Sequence, residues 1–301
     1  MQRREFSRLL AGGVLGSAVL PAIPSLAAPA EAQVPFRFSV MLWTIYRKLL
    51  FEQRLEKVAE AGYHAVELVD EYKNWQPEDF RRASAKLRAL GIVVDAMAGV
   101  WTGIANPQAQ QKFLADLTSF VPIAEQLECP AIIVLSGDRV DGLSREAHHQ
   151  SCVENLKRAA EIADKKNLTL LLENIDQEEN PKYYLTSVAE GFEIIRQVNH
   201  PRVKFLYDFY HEQISEGNLI SKLEKNIAHV GLIHVADVPG RHEPGTGEIN
   251  YANIYRKLAQ LNYRGYVAME FEPAGDPVTS LRTAREEAFR RSSGYLDSCI
   301  D

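Results

Sequence analysis

Apolar runs of strand length recur along this chain at intervals of about thirty residues, each followed by a helical pattern. The runs are FRFSVMLW, AVELVD, IVVDAMAG, AIIVLSG, LTLLLENI, VKFLYDFYH, VGLIHVAD and GYVAMEFEP, eight in all. They are continuously apolar rather than alternating, which is how parallel strands read when helices cover the sheet. After the first run, Phe51, Leu55, Val58 and Ala59 share one helical face, and Gly62 stands where that helix should stop. After the second, Phe80, Ala83, Leu87 and Leu90 repeat the pattern, with Pro77 near the start and Gly91 beyond the end. Ser144 is placed to cap a longer helix that buries Val153, Leu156, Ala160 and Ala163. Eight such units predict a single (β/α)8 TIM barrel of the α/β class. An open doubly wound sheet is the alternative, but no Gly-rich phosphate loop follows any early strand. No linker or compositional break marks a second domain.

The first thirty residues follow a different logic. QRREFSRLL sets Arg3 and Arg4 side by side ahead of Phe6 and Leu9, and AGGVLGSAVLPAIPSLAAPA is a short, weakly apolar stretch ending in small residues. This is the layout of a twin-arginine export signal cleaved near Ala27 or Ala30, and it predicts a periplasmic or exported protein. A stable membrane anchor is disfavoured, because Gly, Pro and Ser interrupt the run well short of the roughly 20 apolar residues a span needs. The predicted division is therefore signal peptide over residues 1–30 and barrel over 31–301. The first thirty residues hold three Arg and one Glu, a net charge of +2, so the formal charge of −6 for the chain becomes −8 for the rest. An acidic body of this kind argues against a nucleic-acid partner. Cys129, Cys152 and Cys299 are odd in number and far apart, which suits small apolar fillers rather than a metal or disulfide framework. Such cysteines also suit a protein that folds in the reducing cytosol before export.

A barrel of this type carries its chemistry at the C-terminal ends of its strands. Strand five ends in LLLENI and offers Glu173; strand six, in FLYDFYH, offers Asp208; strand seven, in LIHVAD, offers His234; strand eight, in VAMEFEP, offers Glu270. Each sits in an apolar run, where a charge is expensive unless neutralised or coordinated. Almost no basic residue accompanies them, since Lys204 lies at the opposite end of its strand. The set is therefore predicted to bind one divalent metal. Three carboxylates and one imidazole form a mostly hard donor set that suits Mn²⁺ or Mg²⁺, with Co²⁺ and Zn²⁺ as further options. Glu173 and Glu270 come from strands three apart in a ring of eight and should face each other across the metal. A cation that polarises a carbonyl while one Glu removes a neighbouring C–H proton gives an enediolate, and hence isomerisation or epimerisation of an α-hydroxy carbonyl compound.

The segments ENI with NPKYYL downstream, YDFYHEQISEGNL, HVADVPGRHEPGTGEINY and MEFEP resemble the hydroxypyruvate isomerases of the xylose isomerase-like barrel superfamily. The likeness runs from about Phe38 to the last helix and is strongest from strand five onward. It implies Glu173, Asp208, His234 and Glu270 as metal ligands, Glu173 and Glu270 as the acid/base pair, and interconversion of hydroxypyruvate and tartronate semialdehyde. It further implies that His211 contacts a substrate oxygen, that Arg241 grips a substrate carboxylate or hydroxyl, and that the final helix and tail contribute to a homo-oligomer. One departure bears on the substrate. Hydroxypyruvate isomerases often carry glutamine where this chain has His234, whereas the related ketose 3-epimerases carry histidine. The expected partner is accordingly a small hydroxy-keto acid or a sugar. A ketose 3-epimerase, a keto-sugar dehydratase or lyase, and a sugar-binding protein on the same barrel are the alternatives.

Around this centre, Glu67 at the end of strand two is assigned to a substrate hydroxyl, with a structural pair as its alternative. Trp43 at the end of strand one is assigned to an apolar wall of the substrate site, with core packing as its alternative. Glu272 should lie higher on the rim than Glu270. Lys182 either meets an anionic substrate or is an exposed lysine that faces water. Asn250 is predicted to cap the helix after strand seven, with Gly245 and Gly247 permitting the tight loop before it.

Overall fold

The computed structural model of the protein describes residues 34–296, which fall within one compact unit, Ala32–Asp301. The export signal assigned to residues 1–30, the tail beyond 296 and Cys299 lie outside the described residues.

Eight strands close in chain order into a parallel barrel: β1 (Arg37–Met41), β2 (Ala65–Leu68), β3 (Val93–Val100), β4 (Ala131–Leu135), β5 (Thr169–Glu173), β6 (Val203–Asp208), β7 (Val230–Val235) and β8 (Tyr266–Met269), with β8 pairing back onto β1. Around them run α1 (Phe51–Glu60), α2 (Pro77–Leu90), α3 (Gln110–Gln126), α4 (Arg145–Lys165), α5 (Val188–Val198), α6 (Phe209–Ser215), α7 (Leu219–Asn226), α8 (Tyr251–Gln260) and α9 (Pro277–Leu296). The local punctuation behaves as its chemistry dictates. Gly91 ends α2 in the left-handed region at φ 63°, where a side chain would be strained. The Ser144 hydroxyl accepts from Ala147 N at the start of α4, and the Asn250 side chain accepts from Asn253 N at the start of α8. No helix among the described residues is long and apolar enough to cross a membrane.

Two apolar cores flank the barrel wall. The larger lies between strands and helices and includes Leu55, Val58, Leu156, Phe205 and Tyr255. The smaller fills the barrel and includes Met41, Ile133, Leu171, Leu206, Leu232 and Ala268. Side chains on a strand alternate faces, so residues two apart point the same way. Glu173, Asp208, His234 and Glu270 each stand two residues beyond Leu171, Leu206, Leu232 and Ala268. The barrel's own filling layer thus aims the polar set into its C-terminal mouth.

One apolar run proves to be two elements. VKFLYDFYH reads as a single strand, yet the chain turns into α6 at Phe209 because the Asp208 carboxylate caps it: Oδ1 accepts from Tyr210 N at 2.7 Å and from His211 N at 3.2 Å. Strand six is consequently followed by the short α6 and then α7, not by one helix.

Candidate metal centre

The ligand atoms offered by Glu173, Asp208, His234 and Glu270 all lie within 4.8 Å of one another, and all four residues are buried. His234 Nδ1 stands 2.7 Å from Glu270 Oε2, 3.5 Å from Glu173 Oε1 and 3.9 Å from Asp208 Oδ2. Asp208 Oδ2, His234 Nδ1 and Glu270 Oε2 are buried atoms that make no hydrogen bond. A buried polar atom without a partner costs on the order of 1–3 kcal/mol, so three converging on one spot mark a place that a shared cation would satisfy. The donors, mostly oxygen with one imidazole nitrogen, fit a divalent ion. Asp208 divides its labour, with Oδ1 spent on the α6 cap and Oδ2 left for the cluster.

The charges of the site are set by burial and by one another. Burial pushes the Asp208 carboxyl up to about 6, against the pull of His211. Burial also works against charge on Glu270 and His234, but neighbours win in both cases. Arg241 and His234 hold Glu270 well below the usual carboxylate range, while Glu67 and Glu270 hold His234 well above the usual histidine range.

Glu270 is pinned on its other oxygen. Oε1 accepts from Trp43 Nε1 at 2.9 Å and lies 2.9 Å from Arg241 Nη2. Trp43 thus lines the site with a polar edge as well as a ring, and the Arg241 guanidinium sits 5.3 Å from that ring's centroid and 4.9 Å from the ring of Tyr210. The second arm of Arg241 pairs with Glu179.

What delivers Arg241 to this place is Asp237. Fully buried, its Oδ1 accepts from Val238 N and Ile249 N, each at 3.0 Å, and its Oδ2 accepts from Gly245 N at 2.8 Å. One carboxylate therefore gathers both ends and the middle of the loop between β7 and α8. Arg241 itself adopts φ 55°, and its carbonyl accepts from Glu272 N at 2.7 Å. Gly247 passes so close that a Cβ there would fall 2.1 Å from the Val238 carbonyl oxygen.

His211, three residues after Asp208 in the first turn of α6, is buried beside the cluster. Its Nδ1 lies 2.6 Å from Asp176 Oδ2, and its Nε2 lies 3.6 Å from Asp208 Oδ2 and 3.9 Å from Glu179 Oε2. Asp176 is itself anchored by Glu178 N at 2.8 Å and Glu179 N at 2.9 Å. Burial opposes a charge on His211, but the Asp208 and Asp176 carboxylates outweigh it and hold the imidazole at about 9. Asp176, Glu179 and His211 form a second group of potential ligands adjoining the first.

Seven of the residues expected at the site meet there: Glu173, Asp208, His234, Glu270, His211, Arg241 and Trp43. Glu67, expected at a substrate hydroxyl or in a structural pair, is 0 % exposed and engages His234 Nε2 at 2.9 Å, on the side of the imidazole away from Nδ1. Lys182 and Glu272 are exposed, and their described hydrogen bonds run through backbone atoms. Asp176, Glu179, Tyr210 and Asp237 escaped the sequence reading. Asp237 was the most accessible of them, since an Asp before V-P-G at a strand end is turn chemistry with a carboxylate ready for backbone N–H groups.

A family model for the xylose isomerase-like TIM barrel matches residues 55–299. The chain belongs to the xylose isomerase-like TIM barrel family. Within that family it is 31% identical to the hydroxypyruvate isomerase of Escherichia coli, over 82% of this chain and 97% of that protein. It is 32% identical to the 2-oxo-tetronate isomerase of Haemophilus influenzae, over 81% of this chain and 96% of that protein. It also superposes on a crystal structure described as an AP endonuclease of family 2 from Brucella melitensis, with a TM-score of 0.74 and 28% identity over 81% of this chain and 96% of that one. Its kinship along nearly the whole length of two isomerases makes this member of the xylose isomerase-like family an isomerase.

Proposed function

We propose that the protein is a metal-dependent isomerase of a small α-hydroxy carbonyl acid, with hydroxypyruvate and tartronate semialdehyde as the pair it interconverts. The observation that carries this reading is the convergence of three buried atoms, Asp208 Oδ2, His234 Nδ1 and Glu270 Oε2, that contact one another but form no aligned hydrogen bond, beside Glu173 at the barrel mouth. Glu173, Asp208, His234 and Glu270 would hold one divalent ion, Mn²⁺ or Mg²⁺ by donor hardness. When bound, that ion supplies charge to polarise a carbonyl and steady the enediolate.

The chain's own residues supply the rest. Glu173 takes the C3 proton of hydroxypyruvate and returns a proton to C2, while the hydrogen on the C3 hydroxyl moves to the C2 oxygen, so that the product is an isomer with no net gain or loss. Glu173 is the freer base of the two. Glu270 Oε1 already faces two donors, Trp43 and Arg241, whereas no Arg or Lys pairs with Glu173 among the described residues. His211, oriented by Asp176, presents Nε2 toward the cluster as a hydrogen-bond donor to a substrate oxygen. Arg241 exchanges Glu179 for the substrate carboxylate, a bidentate partner of the same charge. The Arg3–Arg4 leader supports export of the folded, metal-loaded protein, which would put this reaction outside the cytosol.

A second reading keeps the proton transfer and changes the substrate: the imidazole of His234 and the 2-oxo-tetronate isomerase relatives favour longer hydroxy-keto compounds as well. The test is a substrate panel of hydroxypyruvate, 2-oxo-tetronate and several ketoses, given to Mn²⁺-loaded protein and followed by NMR. Tartronate semialdehyde from hydroxypyruvate is the expected result. Turnover of a ketose alone, with epimerisation at its C3, would transfer the mechanism to a 3-epimerase.

A further inference from the structure

The mechanism leaves Glu67 without a task, and its surroundings are unusual. It is 0 % exposed inside the barrel, at the point where the register between β2 and β3 shifts between Val66 and Glu67. Such irregularities re-aim a side chain. Its Oε2 lies 2.9 Å from His234 Nε2, and its Oε1 accepts from Ser39 Oγ at 3.4 Å. No Arg or Lys pairs with it among the described residues; His234 is its ion-pair partner, while the buried Asp95, Glu173 and Glu270 carboxyls repel its charge. A carboxylate is costly to bury without a positive or proton-donating partner, so its presence here calls for a reason on the His234 side.

That reason is the two-ended character of imidazole. His234 Nδ1 faces the cluster and has no hydrogen-bond partner. For Nδ1 to offer its lone pair to a cation, the ring's remaining proton must reside on Nε2, and that N–H needs an acceptor. Glu67 Oε2 stands where this acceptor must be. We propose that Glu67 is a positioning residue: by accepting from His234 Nε2–H it fixes the tautomer and the ring plane that aim Nδ1 at the divalent cation. The assignment rests on the reading of His234 as a ligand and deepens it. It also replaces the substrate-contact role that the sequence suggests for Glu67.

The test is a cycle of Mn²⁺ affinities, read from the EPR signal of free Mn²⁺, for the parent protein, E67L, E67Q, H234Q and E67L/H234Q. Thermal unfolding of each metal-free variant verifies that it is folded. E67L is expected to weaken Mn²⁺ binding by about 10–100-fold, the usual effect of losing the partner behind a metal-binding histidine. E67Q keeps an oxygen acceptor for Nε2–H and should stay within about 3-fold of the parent. In the H234Q background, where there is no imidazole to orient, E67L should change the affinity little. An equal loss in both backgrounds would make Glu67 a general structural or electrostatic element and overturn the assignment, as would an unchanged affinity in E67L. Long-range ¹H–¹⁵N spectra of the Mg²⁺-loaded parent give an independent readout: Nε2 of His234 should carry the proton, with Nδ1 unprotonated. A proton on Nδ1 in the loaded parent contradicts the proposal. Failure of the parent itself to bind Mn²⁺ would instead sink the metal reading, and this assignment with it.

Discussion

Asp208 shows how much one side chain decides here, since Oδ1 starts α6 and Oδ2 faces the cluster without a partner. The two duties are separable. In D208N the amide oxygen can still cap α6, but an NH₂ group replaces the acceptor at the cluster, so Mn²⁺ affinity should fall by 100-fold or more, on the order of 3 kcal/mol, while unfolding of the metal-free protein changes little. Equilibrium binding and thermal melts measure the two effects; parallel losses would mean that the cap, not the cluster, is what the substitution damages. At this scale the sequence was informative wherever a charge interrupted an apolar run at a strand end, as for Glu173, Asp208, His234 and Glu270. It left Glu67 divided between a substrate hydroxyl and a structural pair, because strand-end position says nothing of the contact the side chain makes with His234 Nε2. It was silent on Asp176, whose role depends on His211 reaching it from α6, thirty-five positions along the chain.

Among the elements, the loop from Asp237 to Asn250 carries the most function per residue. Asp237 holds it by three backbone donors, and through it Arg241 reaches Glu270 and Glu179. Removing a buried acceptor of several N–H groups costs about 1–3 kcal/mol or more. D237A should therefore lower the melting temperature and, by releasing Arg241, raise KM for an anionic substrate about tenfold or more, with Mn²⁺ affinity much less affected. An unaltered KM would show that Arg241 is placed without Asp237. The strand and helix patterns themselves were largely legible, since Gly91, Ser144 and Asn250 act as the caps their positions suggest. The boundary between β6 and α6 was not. Phe209 and Tyr210 extend an apolar run that suits either element, and only the Asp208 cap, a contact between side chain and backbone, ends the strand.

For the whole molecule, the cadence of eight runs was enough to read the closed barrel, because continuous apolar strands separated by helices have few other ways to bury both faces of a sheet. The cost of the site to folding was not readable. Without metal, burial pushes Asp208 up to about 6 and also Glu212, the buried α6 residue next to His211 that pairs with Lys222, up to about 7, while Asp208 and Asp176 overcome burial to hold His211 at about 9. All three lie above their values in an unfolded chain, so the folded metal-free protein binds protons that the unfolded chain releases. The stability these groups contribute is full below their unfolded values and is lost as pH rises through about 6, 7 and 9. The metal-free protein should lose about 5 °C or more of melting temperature between pH 5 and pH 9. Saturating Mn²⁺, which takes the place of a proton at the cluster, should flatten that slope. A melting temperature that is level or rises with pH in the metal-free protein would contradict the charge balance described for the site.

The central claim is that carboxylates at the mouth of this barrel move a carbon-bound proton when a divalent ion is present, and the most direct measurement is deuterium incorporation into hydroxypyruvate in D₂O, followed by NMR. Metal-stripped protein, the same protein reloaded with Mn²⁺, and Mn²⁺-loaded E173Q with its metal content verified would be compared. Exchange at C3 should appear only in the reloaded parent, with E173Q slower by at least about a thousandfold, as befits loss of the proton-transfer group. Exchange by the stripped protein at the reloaded rate, or by metal-loaded E173Q at the parent's rate, would contradict it.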